Sequence, residues 1–410
     1  MSYKSAALVL LALIWLYGLV LRWLNWRSAE RPIPENVRDV YDPETYARWR
    51  AYHGETSRLG LVSATLGFLP DFLFILLNAY PAFARLFPDN PFSRMLGVLI
   101  LSALGGLLSI PAAYYGTMVI EEKYGFNRST KKTFWLDQLK SFLIGFLIML
   151  GIGSLLLGLH RALGDWLILV FAGVMMAVIL GISFLYPFLS RIFNKFTPLE
   201  EGELRDKLTG LLEKHGYKVR AIQVMDASRR STKSNAYFTG FGRMKTIVLY
   251  DTLVNAMTTE EICAVFAHEL GHGLHRDTLK NQVLSFIQIA VLAVLSWLTL
   301  RTEAIFPDFG FSGVNYGFAL ILIMEAEFAL LSPLFGLLTN WFSWKAEYRA
   351  DAQAVREGYG PALVSALKTL SRENFSNLSP APLLVKLEYS HPTLSQRIDA
   401  IENEMSAMRA

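Results

Sequence analysis

Long apolar stretches recur along this chain, and each is about as long as the roughly 20 helical residues that cross a hydrocarbon core. Seven such stretches occur, at 6–24, 60–82, 95–118, 142–160, 166–189, 283–300 and 316–338. The first is too long for a secretory signal, and Arg22-Trp23-Leu24-Asn25-Trp26-Arg27 at its end is typical of an interfacial anchor. The pattern predicts a mainly α-helical, multi-pass membrane protein with seven transmembrane helices.

The connections between these stretches differ in their content of basic residues. Six arginines lie within 25–58, and five lysines or arginines lie within 119–140. The connections after the second, fourth and sixth stretches carry only Arg85, Arg94, Arg161 and Arg301. Because basic residues accumulate in cytoplasmic loops, we expect the N-terminus outside and the first, third and fifth connections inside, together with the C-terminal tail.

Two polar segments, 190–282 and 341–410, lie outside the apolar stretches and are separated by two predicted spans, so they share one side of the membrane. Their combined length of about 160 residues suffices for one domain. Within them the pattern predicts helices at 198–215 and 258–275, and strands at 221–226, 234–239 and 246–250. We therefore predict five spans in 1–189, a cytoplasmic α+β domain divided between 190–282 and 341–410, and two spans in 283–340.

The composition agrees with a membrane protein. Hydrophobic residues make up 53% of the 410 residues and charged residues only 18%, whereas soluble proteins carry about 25% charge. The net charge of +4 gives no reason to expect a nucleic-acid partner. The single cysteine, Cys263, excludes an internal disulfide and a CxxC metal site.

Three acidic residues lie inside predicted spans: Asp71, Glu325 and Glu327. An ionised carboxylate in lipid is unfavourable by at least a few kcal/mol, so such residues face protein or water. Two interpretations follow, a buried polar pair that determines helix packing or a water-filled space between the helices.

The sequence His268-Glu269-Leu270-Gly271-His272 points to metal chemistry. Residues four apart lie on one face of a helix, so both imidazoles can reach one metal ion. Glu269 lies beside that ion, where it can take a proton from water that the metal has made acidic. The motif therefore predicts a hydrolytic zinc site with one Zn²⁺ per chain and Glu269 as the catalytic base.

Two histidines leave zinc one short of the three protein ligands that a hydrolytic site usually has. His275 lies only three residues after His272, and its steric reach makes it a poor third ligand. Glu347 is the better candidate, in the helical sequence Glu347-Tyr348-Arg349-Ala350-Asp351. Asp351 shares its helix face, and we expect it to accept a hydrogen bond from a ligand histidine and so determine its tautomer.

A strand-like segment precedes the metal helix, at 234–240. Its alternation is typical of an exposed edge strand, which can bind an extended peptide through main-chain hydrogen bonds. We expect Asn235, Ala236, Tyr237 and Phe238 to bind substrate in this way.

The tail contains a further candidate, His391, in Ser390-His391-Pro392-Thr393. We expect His391 to donate to the oxyanion that develops during peptide hydrolysis. Arg397 follows six residues later, and we place it among the substrate-binding residues.

Together these motifs resemble the type I CaaX prenyl proteases, integral-membrane zinc metallopeptidases of the gluzincin class. The resemblance comprises the SNAYFTG strand, the HELGH helix, the EYRAD helix and the SHPTLSQR tail, in the family's order. The third connection, with 121–127 and Asp137-Gln138, is also similar to the family, whereas 41–58 is similar only loosely.

The resemblance implies a ring of seven helices around a large hydrated chamber, closed at the cytosolic end by the peptidase domain. Eukaryotic members cleave isoprenylated C-terminal CaaX tails after the prenyl-cysteine. We therefore expect a lipidated or hydrophobic peptide or protein substrate, membrane lipid as surroundings, and a location in the bacterial inner membrane or the endoplasmic reticulum membrane.

The resemblance also assigns roles to individual residues. It implies zinc ligands at His268, His272 and Glu347, with Glu269 as the base. It places Asn235 and His391 along the scissile bond.

Two other functions fit parts of the pattern. HtpX-like heat-shock peptidases, which degrade membrane proteins for quality control, are shorter and have fewer spans. A transporter or scaffold with a structural zinc would have no use for Glu269, because a structural site lacks an open coordination position.

Overall fold

The structure is a computed structural model that describes residues 2–239 and 244–410, except the side chains at 168, 182–189, 218–220, 238–239 and 244–245. The N-terminal half is helical and contains most of the apolar stretches. Its helices are α1 (Tyr3–Arg27), α2 (Pro43–Leu76), α3 (Ala79–Ala84), α4 (Pro91–Gly106), α5 (Ile110–Tyr115), α6 (Lys131–Leu163) and α7 (Leu167–Leu189), with a π-helical segment at Gly116–Glu121.

Short polar residues begin the long helices of this half. Asp42 accepts from the backbone N–H groups of Glu44 and Thr45, and Thr130 accepts from that of Thr133. A side-chain oxygen at this position satisfies an N–H group that has no partner inside the helix. The local sequence therefore marks where α2 and α6 start.

The next part of the chain forms a small mixed sheet with three helices. Its elements are β1 (Phe196–Pro198), α8 (Glu203–Lys214), β2 (Lys218–Met225), β3 (Ala236–Thr239), β4 (Met244–Tyr250), α9 (Asp251–Ala256) and α10 (Thr259–Leu274). The strand order is β1-β2-β4-β3, with β2 and β4 parallel and the outer pairs antiparallel. In the described part of the sheet β3 is an edge strand, as predicted.

The start of the helix predicted at 198–215 is wrong. Pro198 ends β1, Leu199 donates its N–H to the carbonyl of Ile222 at 2.9 Å, and the helix begins only at Glu203. The backbone of these residues pairs with β2, a long-range contact that local propensity does not reveal.

The C-terminal part returns to the apolar helices and then leaves them. It comprises α11 (Asp277–Arg301), α12 (Ile305–Asp308), α13 (Tyr316–Ile321), a π-helical segment (Leu322–Phe328), α14 (Ala329–Arg356), α15 (Gly360–Glu373), α16 (Pro382–Glu388) and α17 (Leu394–Arg409). We predicted a boundary between the last span and the second polar segment at position 340. In the structure α14 continues through this position without a break, so one helix belongs to both parts.

Among the described residues, six helical segments are long and apolar enough to cross a membrane. They are Tyr3–Glu30, Pro43–Leu76, Pro91–Glu121, Lys131–Trp166, Asp277–Arg301 and Tyr316–Arg356, and each contains one predicted span in whole or in large part. The remaining predicted span, 166–189, is the fifth along the chain and falls on α7, whose described apolar stretch is the shorter Leu169–Gly181. The protein is therefore a multi-pass membrane protein, and the span at 166–189 stays a prediction.

The acidic residues of the spans have different surroundings. Tyr80 donates to Asp71, and Thr299 donates to Glu327 at 2.8 Å. Glu325 lies exposed on the π-helical segment. Asp71 and Glu327 thus have the polar partners expected inside a helix bundle, while the hydrated chamber stays a prediction.

The polar segments pack around α10. Leu208 and Leu212 of α8, Ile247 and Leu249 of β4, and Phe266 of α10 share one buried cluster. On the other side, α10 lies so close to α14 that a Cβ atom on Gly271 would stand 2.8 Å from Ala350 Cα. Glycine between the two histidines therefore allows the His-Glu-x-x-His helix and the Glu-x-x-x-Asp helix to touch.

Candidate metal centre

The helix that carries the two histidines begins as the sequence predicts. Thr258 accepts from the backbone N–H of Glu261 at 3.3 Å, and Glu261 accepts from that of Thr258 at 2.9 Å. Residues 262–268 of this helix are all buried, because neighbouring elements pack on both sides of it. His268 is therefore largely enclosed by protein and reaches only the cavity beside the metal triangle.

Three side chains converge at the junction of α10 and α14. His272 Nε2 lies 3.2 Å from His268 Nε2 and 3.3 Å from Glu347 Oε1, and His268 Nε2 lies 3.5 Å from Glu347 Oε2. Ligands of a tetrahedral zinc ion at about 2.0–2.1 Å stand about 3.3 Å apart, so this triangle has the dimensions of a metal site. Within the described residues, Glu347 Oε2 is buried without a hydrogen-bond partner, as expected for an atom that faces a cation.

A carboxylate lies behind each imidazole. His268 Nδ1 donates to Asp351 at 2.8 Å, the contact that the sequence predicts, and His272 Nδ1 donates to Asp277 at 3.1 Å. In the neutral form of each ring the Nδ1 proton faces this carboxylate, so Nε2 then presents its lone pair to the centre of the triangle.

Asp277 is a residue that the sequence analysis missed. Its carboxylate is buried and also accepts from Arg349 at 2.8 Å and from Lys280 at 3.2 Å. The signal in the sequence was weak, an aspartate five residues after His272 at the start of an apolar helix. Only the turn between α10 and α11 directs it back to the imidazole.

Arg397 lies in the same site and contacts two of its carboxylates. Its guanidinium donates to Asp351 at 2.6 and 2.9 Å and stands 3.4 Å from Glu347. Two buried carboxylates would repel each other, and the arginine compensates their charge. The substrate contact expected of Arg397 stays a prediction.

The charges around His272 affect its proton. Burial by itself lowers the pKa of His272. The hydrogen bond and the negative charge of Glu347 have the opposite and larger effect, so the pKa is raised to about 9. At neutral pH a metal ion that binds here therefore displaces a proton from His272.

A cavity of about 330 Å³ opens beside the triangle. Glu269 lies in its wall, next in sequence to His268. His391 is 62% exposed, and its Nε2 lies 3.3 Å from Glu347 Oε1, while its Nδ1 and Ser390 Oγ are 2.8 Å apart. The residues predicted for general-base and oxyanion roles thus line one space with the metal triangle.

The edge strand borders the same cavity through its first residues. Asn235 and Ala236 lie in the cavity wall. The side chain of Tyr237 packs on the opposite face of the sheet, with Met225 and Val248, as the alternation of a strand requires. The side chain of Phe238 and all of Gly240 lie outside the described residues.

Comparisons with known proteins agree with this geometry. The family model "CAAX prenyl protease N-terminal, five membrane helices" matches residues 6–195, and the model of peptidase family M48 matches residues 198–405. CAAX prenyl protease 1 of Saccharomyces cerevisiae is 32% identical, over 92% of this chain and 90% of that protein. The CAAX prenyl protease 1 homolog of Oryza sativa subsp. japonica is also 32% identical, over 98% of each chain.

A solved structure extends the agreement to the fold. The crystal structure of S. mikatae Ste24p superposes with a TM-score of 0.89 at 30% identity, covering 98% of this chain and 99% of that chain. The resemblance inferred from the motifs is thereby confirmed. The chain belongs to peptidase family M48, and within it to the CAAX prenyl proteases, as a multi-pass membrane metallopeptidase.

Proposed function

We propose that this protein is a zinc-dependent endopeptidase that cleaves near the C-terminus of CaaX-type prenylated or hydrophobic peptides. The triangle of His268, His272 and Glu347, in a cavity bordered by an edge strand, carries the proposal. The names of the relatives support the substrate class, because each is called a CAAX prenyl protease or a homolog of one.

Zinc is the metal we assign, with one ion per chain. Two imidazole nitrogens and one carboxylate oxygen form the ligand set of catalytic zinc sites, which keep a fourth position open. The spacing of 3.2–3.5 Å between the ligand atoms suits a small tetrahedral ion better than calcium, which takes six to eight oxygen ligands.

We assign a different role in peptide hydrolysis to each residue around the metal centre. Zinc, when bound, supplies a Lewis acid that polarises the scissile carbonyl. The carboxylate of Glu269 accepts the proton of the attacking water and passes it to the leaving amine. The imidazole of His391 donates to the carbonyl oxygen as negative charge develops there.

Substrate binding depends on β3 and the residues beside it. We assign the main chain of Ala236, Tyr237 and Phe238 to pairing with an extended peptide, because β3 is an edge strand in the described sheet. Asn235 lies where this strand enters the cavity, and we assign its amide to the peptide next to the scissile bond. Arg397 is assigned to the same end of the site.

We also propose seven spans, with the metal centre on the cytoplasmic side. Lys140, near the start of α6, donates to the carbonyl of Ile192, just after α7, at 3.1 Å. α6 takes the chain across the membrane, so α7 must return it to bring these residues together, and its 23 residues are about 34 Å long. The matched family model, described by five membrane helices, supports the same count before residue 195.

The proposed domain organisation follows from these spans. Five spans lie in 1–189 and two in 283–340, and the peptidase domain combines 190–282 with 341–410. We place the protein in the bacterial inner membrane or the endoplasmic reticulum membrane, where seven helices surround a hydrated chamber and lipid surrounds the helices.

A cleavage assay tests the proposed function. Purified protein is incubated with a farnesylated CaaX peptide and with its unprenylated twin. We expect cleavage of the farnesylated peptide, loss of cleavage after chelation, and recovery with zinc. Cleavage of unfolded membrane proteins, with no preference for either peptide, would contradict the substrate class and favour a quality-control peptidase.

A further inference from the structure

A second cavity, of about 340 Å³, lies away from the metal centre, between the end of α1 and the first half of α2. Its wall includes Trp26, Arg50, Gly54 and Arg58. We call it the α1–α2 pocket. It shares no lining residue with the cavity at the metal triangle.

Two arginines and two glutamates line the pocket, and each glutamate has a cationic partner outside its wall. Glu55 binds Lys123 at 2.5 Å, and Glu30 binds Arg27 at 3.0 Å. Across residues 2–239 and 244–410, no carboxylate lies within ion-pair distance of Arg50 or Arg58, and both arginines are exposed. Two guanidinium groups are therefore available to an anion from outside the protein.

The two arginines are directed into the same space by the helix. Arg50, Gly54 and Arg58 are spaced by four residues, so they lie along one face of α2. Gly54 leaves this face open, because a Cβ atom added there would meet no described atom within 4 Å. The helix thus places one arginine on either side of Gly54 along the wall of the pocket.

The pocket lies at the level of the membrane surface. The apolar stretch of α1 ends at Leu24, and that of α2 begins near Gly60, so Trp26 and Arg58 lie just beyond the hydrocarbon. The guanidinium of Arg58 stands 5.7 Å from the ring centroid of Trp26, a residue typical of the interface. Arg50 is about 12 Å further along the helix, and its long side chain can reach back toward the headgroups.

We propose that the α1–α2 pocket binds a phosphate group, presented by an acidic phospholipid or by a soluble phosphate ester. Guanidinium groups match phosphate oxygens in geometry and remain charged at all physiological pH values. The position at the membrane surface favours the lipid, whose acyl chains would lie along the apolar parts of α1 and α2. The proposal is independent of the peptidase chemistry.

Native mass spectrometry of the full chain in a neutral detergent tests this pocket. Phosphatidylglycerol, phosphatidylcholine and glycerol phosphate are added separately. We expect one phosphatidylglycerol retained per chain, in preference to the other two. The double variant Arg50→Gln/Arg58→Gln should bind it about tenfold more weakly, because charge-assisted hydrogen bonds are lost. Arg31→Gln, in the same connection but outside the pocket, is the matched control and should bind like wild type.

A second variant fills the pocket without changing charge. Gly54→Phe should weaken phosphatidylglycerol binding to a similar extent, and an unchanged metal content of each variant shows that it has folded. Wild-type binding by both the double variant and Gly54→Phe would overturn the site. Glycerol phosphate bound as tightly as phosphatidylglycerol would overturn the lipid as the source and assign the pocket to a soluble ester.

Discussion

Each histidine of the metal triangle has a carboxylate partner on another helix, one distant in the sequence and one only five residues away. Asp351 holds His268, Asp277 holds His272, and Arg397 compensates the charge of Asp351 and Glu347. A buried carboxylate without these partners would be unfavourable by several kcal/mol. At the residue scale, these contacts therefore determine the positions of the two imidazoles and of Glu347.

Replacement of Glu269 by glutamine separates catalysis from metal binding. Glutamine keeps the size of the side chain but accepts no proton, so cleavage of a prenylated reporter should be at least about a hundredfold slower. Zinc content, measured on the purified variant, should equal that of wild type. Glu347→Ala is the matched variant and should lose zinc. Near-normal turnover by a zinc-loaded Glu269→Gln protein would contradict the proposed base.

Removal of Asp277 tests the residue that the sequence analysis missed. In Asp277→Ala the imidazole of His272 loses its hydrogen-bond acceptor, and we expect metal affinity to fall about 10–100-fold. Competition with a chelator measures this affinity, and Asp277→Asn, which retains an acceptor oxygen, should recover part of it.

Glu260→Gln is the control for this experiment, since Glu260 is exposed at the start of α10, about two turns before His268, and pairs with Lys207 of α8. Its affinity should be unchanged. If Asp277→Ala binds the metal ion as tightly as wild type, the hydrogen bond between His272 and Asp277 does not contribute to metal binding.

At the scale of elements, the third connection contacts the segment that precedes the edge strand β3. Arg230 donates to Asp137 at 2.8 Å, Lys233 donates to Glu121 at 2.9 Å, and Thr232 donates its N–H to the carbonyl of Phe126 at 3.1 Å. The ammonium group of Lys233 also lies over the rings of Tyr52 and Phe126. These contacts hold the segment 230–233 in place. That segment leads directly into Asn235, where we expect substrate to bind.

Lys233→Met therefore tests whether this support matters for catalysis. The variant leaves Glu121 without its cation and frees the start of β3, so kcat/KM should fall about tenfold, consistent with loss of a charge-assisted hydrogen bond. Zinc content should not change, because Lys233 contacts no ligand residue in the described structure.

Lys207→Met is the matched control, because the ion pairs of Lys207 with Glu203 and Glu260 are partly exposed and contribute little. We expect wild-type kcat/KM for it. If Lys233→Met is equally unaffected, the third connection does not position the strand.

At the scale of the whole molecule, the first connection packs against the C-terminal tail. Trp49 Nε1 donates to the carbonyl of Phe375 at 3.0 Å, and Val37, Val40 and Ile398 share a buried cluster with Trp49. The third connection contacts the segment before β3. Regions from both ends of the chain thus lie on one side of the membrane, which requires an even number of spans between them.

Cysteine labelling in sealed vesicles tests this topology. Burial raises the pKa of the Cys263 thiol to about 11, so the native protein should give no background with an impermeant maleimide at neutral pH. Single cysteines are introduced by Asp89→Cys, Asp165→Cys and Glu213→Cys. We expect the first two to react from one face of the membrane and Glu213→Cys from the other.

The position of Asp165 is decisive, because α7 separates it from Glu213. Reaction of both variants from the same face would contradict seven spans. If Cys263 of the folded wild-type protein reacts with the maleimide, the labelling of the variants cannot be assigned to the introduced cysteines. That result would also contradict the burial of Cys263.

The sequence by itself determined the features that depend on neighbouring residues. Apolar length predicted six spans that the structure contains as helices, the i, i+4 spacing placed His268 and His272 on one face, and the pattern predicted the start of their helix at position 258. These features follow from helix periodicity and capping, which act within a few residues.

Only the tertiary structure decided which distant residues complete the centre. His268 meets Asp351 across 83 positions and Arg397 across 129, Asp277 turns back to His272, and Gly271 admits Ala350 at contact distance. Tertiary packing likewise replaced the predicted helix start at Pro198 by a strand. Such contacts depend on how helices pack and where loops return, and no local periodicity encodes either, because the free energy of these contacts arises only when the elements meet.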